Sequence, residues 1–215
     1  MKKPDFRIGM TSVEALVEII KTNLKRRSSG LNGNFIWFYT YIPRENTQDK
    51  KTNSLSQLIF HDFSKSSLAG EKSEDITVDG INHWVRLLDE GEVLGIISDI
   101  KIARSFEEYY LAHFHHIPMM DFRCLKSPKN LARIKGLLRT IGEKEGVVLD
   151  SGRSYHYFGT NPLSEKEWLM FLGKCLLSGL VDERYIGHRL IDRCGILRIS
   201  VCPLRPKIPT VVSIL

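Results

Sequence analysis

The sequence predicts a mixed α/β (α+β) fold in two modules, and three observations predict it. Two capping boxes open helical repeats far apart in the chain, apolar runs rich in aromatic and β-branched residues lie between them, and Gly and Pro punctuate the junctions. With 215 residues, 42% hydrophobic and 26% charged, the chain is large enough to bury a sizeable interior and has no disorder signature. The expected division is a mixed α/β module over residues 1–92 and a second module over 93–215, with one compact domain as the alternative.

Taken in order, Thr11-x-x-Glu14 is a capping box, and Val13, Leu16, Val17, Ile20 and Leu24 follow at helical spacing. Residues 35–42 read as a buried strand ended by Pro43, and 44–56 as a loop. Leu58-Ile59-Phe60 reads as a returning strand and 65–75 as a second loop. A short helix with Ile81, Trp84, Val85 and Leu88 then precedes a strand over 93–102. The second half opens with an apolar strand over 116–124 that carries Asp121 near its end. Ser127 and Pro128 start a helix whose stripe is Leu131, Ile134, Leu138 and Ile141 and whose stop is Gly142. Strands over 146–149 and 155–158 flank the turn Asp150-Ser151-Gly152. The second capping box, Ser164-x-x-Glu167, opens a helix with Trp168, Leu169, Phe171, Leu172, Cys175 and Leu176 on its apolar side. A short helix from Asp182 to Leu190, a strand over 196–201 and a Pro-punctuated tail complete the reading.

The net charge of +6 and a pI near 9.1 suit a polyanionic partner without requiring one. Positive charge crowds Arg184, Arg189, Arg193, Arg198, Arg205 and Lys207. The cysteines at 124, 175, 194 and 202 form no C-x-x-C pair, so reduced thiols and a cytoplasmic location are expected. The N-terminal residues lack the apolar run of a signal peptide, and no membrane partner is expected.

Three groups carry candidate chemistry. Asp121 is a carboxylate among Met119, Met120 and Phe122, costly to ionise there without a cation; alternatively, strand alternation turns it outward while Met120 and Phe122 face in. Arg153, Ser154 and His156 bring a guanidinium, a hydroxyl and an imidazole together just after Gly152, a set suited to phosphate, or else simply the polar face of a hairpin. Asp182 with Arg184, His188, Arg189, Arg193 and Arg198 combines one acid with a basic cluster, and the i, i+4 spacing of Arg189 and Arg193 aims both one way on a helix. Those arginines suit a triphosphate or a nucleic-acid backbone, or a solvated helix face.

The order of these groups resembles the archaeo-eukaryotic primase superfamily, in particular its primase-1D-like branch. The residues that carry the resemblance are His116-Ile117-Pro118-Met119-Met120-Asp121-Phe122, then Ser154-Tyr155-His156, then Leu180-Val181-Asp182 followed by Gly195-Ile196-Leu197-Arg198-Ile199-Ser200. The resemblance implies an RRM-like sheet in the second module. It implies Asp121 and Asp182 as catalytic, metal-binding acids, and Ser154 and His156 as nucleotide-phosphate contacts, with Arg153, Arg189 and Arg198 beside them. It implies Mg²⁺ or Mn²⁺ as cofactor, and a nucleoside triphosphate with DNA or RNA as partners. A separate helicase or nuclease is a further expected partner. One position departs from the pattern: Arg123 stands where the family has its second carboxylate, and a guanidinium cannot ligate a cation. Metal-dependent nucleotidyl transfer therefore competes with a non-catalytic module that binds a nucleotide or a nucleic-acid end.

A rival enzyme class starts from His113-Phe114-His115, a triplet like that of rolling-circle initiator endonucleases, with Tyr185 as nucleophile. The triplet is expected in a loop, which counts against it.

Overall fold

The first capping box forms as its residues dictate: Thr11 Oγ1 accepts from the Glu14 amide at 3.2 Å, and Glu14 Oε2 accepts from the Thr11 amide at 2.7 Å. The helix it opens, α1, spans Ser12–Ile19 and widens into one π-helical stretch, Ile20–Leu24. The structure, a computed structural model, describes residues 3–24, 35–41, 68–72, 76–101, 114–201 and 203–215. The first-half elements are β1 (Phe35–Tyr41), β2 (Leu68–Lys72), α2 (Val78–Arg86) and β3 (Val93–Lys101). The second half holds β4 (Phe114–His116), β5 (Met119–Asp121), α3 (Pro128–Thr140), β6 (Gly146–Asp150), β7 (Tyr155–Gly159) and β8 (Leu163–Ser164). It closes with α4 (Glu165–Leu176), α5 (Glu183–Asp192), β9 (Ile196–Arg198) and β10 (Thr210–Ile214).

These strands make two antiparallel sheets, so the fold is mixed α+β as expected. One sheet runs β2-β1-β3-β4-β8, with β9 also on β3; the other runs β10-β6-β7-β5. Strand β3 pairs with β1 and with β4 and β9, so backbone hydrogen bonds cross position 92/93.

Side-chain alternation on the second sheet defines two cores. Met119, Val147, Leu149 and Phe158 point toward the first sheet and pack with Ile36, Phe38, Ile96 and Ile100 and with Leu16 and Val17 of α1. Met120, Val148 and Tyr157 point the other way, onto Ile134 and Leu138 of α3 and Trp168, Phe171 and Leu172 of α4. Each such fully buried side chain contributes on the order of 1.5–3 kcal/mol relative to exposure. The second capping box also forms, with Ser164 Oγ accepting from Glu167 N and Glu167 Oε2 accepting from Ser164 N. Leu169 and Leu176, expected on the buried face of α4, are instead 45% and 37% exposed. Trp168, Phe171, Leu172 and Cys175 already fill the stripe that meets the sheet.

The largest departure concerns residues 116–124, expected as one strand. The run divides at Ile117-Pro118 and serves both sheets. Before the division the Ile117 amide donates to Ser98 O at 2.7 Å; after it Pro118 O accepts from the Gly159 amide at 2.8 Å. Proline has no N–H to extend the first ladder, so the chain changes sheets there. Three smaller corrections share one cause, that pairing partners are remote in sequence. A strand, β2, lies within the expected 65–75 loop; the expected 196–201 strand is only β9, paired to the first sheet; and the expected tail ends in β10, paired to β6. The expected 44–56 loop, the Leu58-Ile59-Phe60 strand and His113 lie outside the described residues. Cys124, Cys175 and Cys194 are free thiols. Among the described residues no helix is long and apolar enough to cross a membrane.

The crossing is tight. A Cβ on Gly159 would lie 2.9 Å from Pro118 Cβ and Cγ, whereas one on Gly136, in α3, would meet nothing within 4 Å. Gly159→Ala is therefore expected to destabilise the protein by about 1–3 kcal/mol. Gly136→Ala is expected to stabilise it by about 0.5–1 kcal/mol. Urea denaturation of both variants checks the pair.

Candidate functional site

Strand pairing alone brings two of the candidate residues together, since Asp121 of β5 lies directly opposite His156 of β7. Asp121 shares the face of Met119, and His156 that of Phe158, so both polar side chains belong to the inter-sheet face, at the end of the core. Asp121 is indeed turned away from Met120 and Phe122, but toward a second packed layer rather than free solvent. His156 Nε2 stands 3.6 Å from Asp121 Oδ1, outside hydrogen-bond range. The imidazole is 6% exposed. Burial, and then the positive charge of Arg198, hold its pKa down from 6.5 to about 3, so it is neutral at physiological pH.

Asp121 behaves in the opposite sense. Its carboxyl is recessed among protein atoms, yet 44% of the side chain still meets water. Burial, and then the Asp182 carboxylate, push its pKa up from 3.8 to about 7, against the pull of Arg198, Arg205 and Arg189. Water screens part of that rise. Asp182 arrives beside Asp121 through backbone pairing, in which the Arg123 amide donates to Leu180 O at 2.8 Å and Phe122 bridges Val181. There Asp182 caps α5, with Oδ1 accepting from the Arg184 amide at 2.9 Å. Its Oδ2 is 3.9 Å from Arg123 Nε. Arg123 thus stands beside the other candidate acid, beyond hydrogen-bond range.

The basic residues divide by how far the fold has committed them. Ser154 Oγ donates to Phe122 O and accepts from Cys124 N at 3.2 Å, tying the hairpin to the end of β5. Arg198 is 6% exposed and straps three segments together: Nη1 donates to Ser200 O and to Lys207 O (3.0 Å), Nη2 to Ser151 O (3.0 Å). Arg153 is exposed on the hairpin turn. Arg189 is buried, paired through Nη2 to Asp192 Oδ2 at 2.9 Å, with its guanidinium 5.3 Å above the Tyr185 ring. Arg193 does not point with Arg189 as the i, i+4 spacing implies. The helix ends at Asp192, Arg193 turns left-handed at φ 57, and its guanidinium pairs with Glu165.

Sequence reasoning missed the roles of one residue and one pair. Arg205 entered it only as one of a basic group, yet its charge reaches Asp121. Asp99 and His116 face each other across β3 and β4, with His116 Nδ1 3.0 Å from Asp99 Oδ1 and its ring stacked on Trp168 at 4.3 Å. That pair braces the strand just before the crossing, and no local signal marks it. Tyr185, the candidate nucleophile of the endonuclease reading, lies on α5, and burial pushes its hydroxyl further above the ordinary value of 10.0. Phe114 and His115 lie on β4 rather than in a loop.

The family model described as AEP-like, archaeo-eukaryotic primase 1D-like, matches residues 72–208. The chain belongs to that family. The match begins in β2 and ends beyond Lys207, so it takes in Asp121, His156, Asp182, Arg189, Arg198 and Arg205 together. Neither the curated proteins nor the solved structures include a significant match. Membership in the primase family makes the function primase-related, in the general class of nucleotide and nucleic-acid binding.

The raised Asp121 pKa gives a signed prediction. A folded-state pKa above the unfolded one makes a contribution present below about pH 4 and lost as pH rises through about 7. Without divalent metal, Asp121→Asn is expected to be more stable than wild type at pH 8. The gain is on the order of 1 kcal/mol after discounting for solvent screening, and it vanishes near pH 4. Denaturant midpoints between pH 4 and 8.5 measure it.

Proposed function

We propose that the site around Asp121 and Asp182 binds the phosphates of a nucleoside triphosphate, or of a DNA or RNA end, together with one divalent cation, and that binding rather than templated synthesis is its activity. The observation that carries this reading is Arg123, whose Nε lies 3.9 Å from Asp182 Oδ2. Two carboxylates near enough for Asp182 to raise the Asp121 pKa suit a single hard cation, Mg²⁺ or Mn²⁺. Such an ion is commonly held by one or two carboxylates with phosphate oxygens and water completing the shell.

Each chain residue then has a role. Asp121 and Asp182 hold the cation, which when bound neutralises phosphate charge. Neutral His156 offers one ring N–H to a phosphate oxygen without adding charge. Arg153 reaches the strand or nucleotide from the exposed turn, while Arg198 and Ser154 keep the hairpin and the end of β5 in place. A helicase or nuclease would act on the end so held. Nucleotidyl transfer is the second reading, favoured by the survival of both Asp121 and Asp182 beside each other.

Calorimetric titration with ATP and Mn²⁺ at low salt tests the proposal. Asp121→Ala is expected to lower the metal-dependent affinity at least tenfold, about 1.4 kcal/mol. Arg123→Asp is expected to raise the affinity for Mn²⁺, because it removes a cation and restores a carboxylate. Absence of nucleotide or strand binding would overturn the reading. Template-directed incorporation of labelled nucleotide by the wild-type protein would replace it with transfer.

A further inference from the structure

Residues 123–127 join β5 to α3, and hydrogen bonds fix the backbone of that loop from both sides. The Arg123 amide donates to Leu180 O at 2.8 Å, the Cys124 amide to Ser154 Oγ at 3.2 Å and the Ser127 amide to Tyr155 Oη at 3.1 Å. Tyr155 Oη donates back to Ser127 O at 3.2 Å, and Asn130 Nδ2 donates to Leu125 O at 2.8 Å. In the middle of this pinned loop, Leu125 is 83% exposed. A single exposed leucine is ordinary on a protein surface. This one differs in its mounting, because the backbone that carries it is held to β7 on one side and to α3 on the other.

Cations surround it. Arg123 and Lys126 flank Leu125 in the loop, and both are exposed. Lys126 Nζ and Lys207 Nζ share one carboxylate, that of Asp150, at 3.1 and 2.6 Å, so positive charge is left in excess there. Arg153 is exposed on the turn that follows Asp150, and the charge of Arg133 reaches Cys124. An apolar side chain among cations suits a nucleic acid, whose phosphates meet the cations while a base face meets the apolar group. A protein interface is built around a cluster of apolar side chains, and a membrane anchor needs a broad apolar face. A wedge between bases needs only one such side chain, firmly held. Leucine carries no polar side-chain atom, so its contact reads no base identity.

We propose that Leu125 is a wedge for the end of a nucleic-acid duplex. It takes the stacking position of the terminal base pair, while Arg123, Lys126, Arg153 and Lys207 hold the backbone phosphates of the two parting strands. The inference deepens the reading above and rests on it only in that a nucleic-acid end is bound. What it adds is a non-covalent step, the opening of the last pair, which leaves an unpaired end beside Asp121 and Asp182.

Fluorescence titration of the full chain at low salt tests the wedge, using a blunt DNA duplex with a fluorescent adenine analogue in its terminal pair. The analogue is quenched while stacked, so the wild-type protein is expected to raise its signal about twofold or more, with no rise from the same analogue at the duplex centre. Leu125→Ala is expected to abolish the rise at saturating protein, and Leu125→Met to restore it. Because Leu125 is so exposed, the thermal midpoint of Leu125→Ala is expected to match that of the wild type, which separates a wedge from a structural role. Lys126→Ala is expected to weaken binding of the duplex end about threefold and to lower the salt slope by about one. An equal rise with Leu125→Ala, or an equal rise from the central analogue, would overturn the wedge and leave end binding standing. Binding of ATP with Mn²⁺ but of no duplex end would also overturn the wedge alone. Leu125-dependent binding to vesicles of anionic phospholipid, without any response from the duplex, would assign the loop to a membrane surface instead. Absence of binding to nucleotide and strand alike would overturn both the wedge and the reading above.

Discussion

The peptide between Ile117 and Pro118 is the joint on which the placement of Asp121 opposite His156 depends. One side of it is bonded to Ser98 in the first sheet, the other to Gly159 in the second, so the joint sets how β5 enters its sheet. Because β5 is only three residues long, that entry decides which residue of β7 Asp121 will face. A slip of one position would turn Asp121 into the helical core and place Met120 on the inter-sheet face. The fold surrounds the joint with rigid matter: the Asp99–His116 pair and the Trp168 ring on one side, and the Gly159 backbone against the Pro118 ring on the other.

Around that joint the charges are arranged as a contest rather than a simple acidic site. Asp121 and Asp182 repel each other, which favours either a proton or a cation between them. Arg198 and Arg189 are held by backbone carbonyls and by Asp192, so their fields act on Asp121 at fixed range. His156, kept neutral by burial, contributes hydrogen-bonding capacity without altering this balance. Arg123 is the exception. It is half exposed, and its Nε stands 3.9 Å from Asp182 Oδ2, a charge pairing without a hydrogen bond.

Much of this was legible in the sequence because it depends on neighbours in the chain. Both capping boxes, the Ser127 cap with Pro128 behind it, the β6–β7 hairpin and the Asp182 cap follow from residues within about four positions of each other. The motif order also pointed to the family that the chain belongs to. What was not legible depends on distant partners. β10 looks like a tail until β6 is beside it, and Leu169 looks like core until four neighbours on α4 have filled the available face. Arg193 looks like a companion of Arg189 until the helix stops one residue short of it.

The sequence by itself therefore determined the type and approximate extent of most described elements and the order of motifs that marks the family. Local hydrogen bonding and side-chain periodicity act over a few residues, and those are written in the order of the chain. Only the tertiary structure decided that residues 116–124 serve two sheets, that Ser154 and Arg198 brace the backbone, and that Arg189 is buried against Asp192. Those outcomes follow from packing and pairing between segments as remote as Arg198 and Ser151, whose meeting no local pattern encodes.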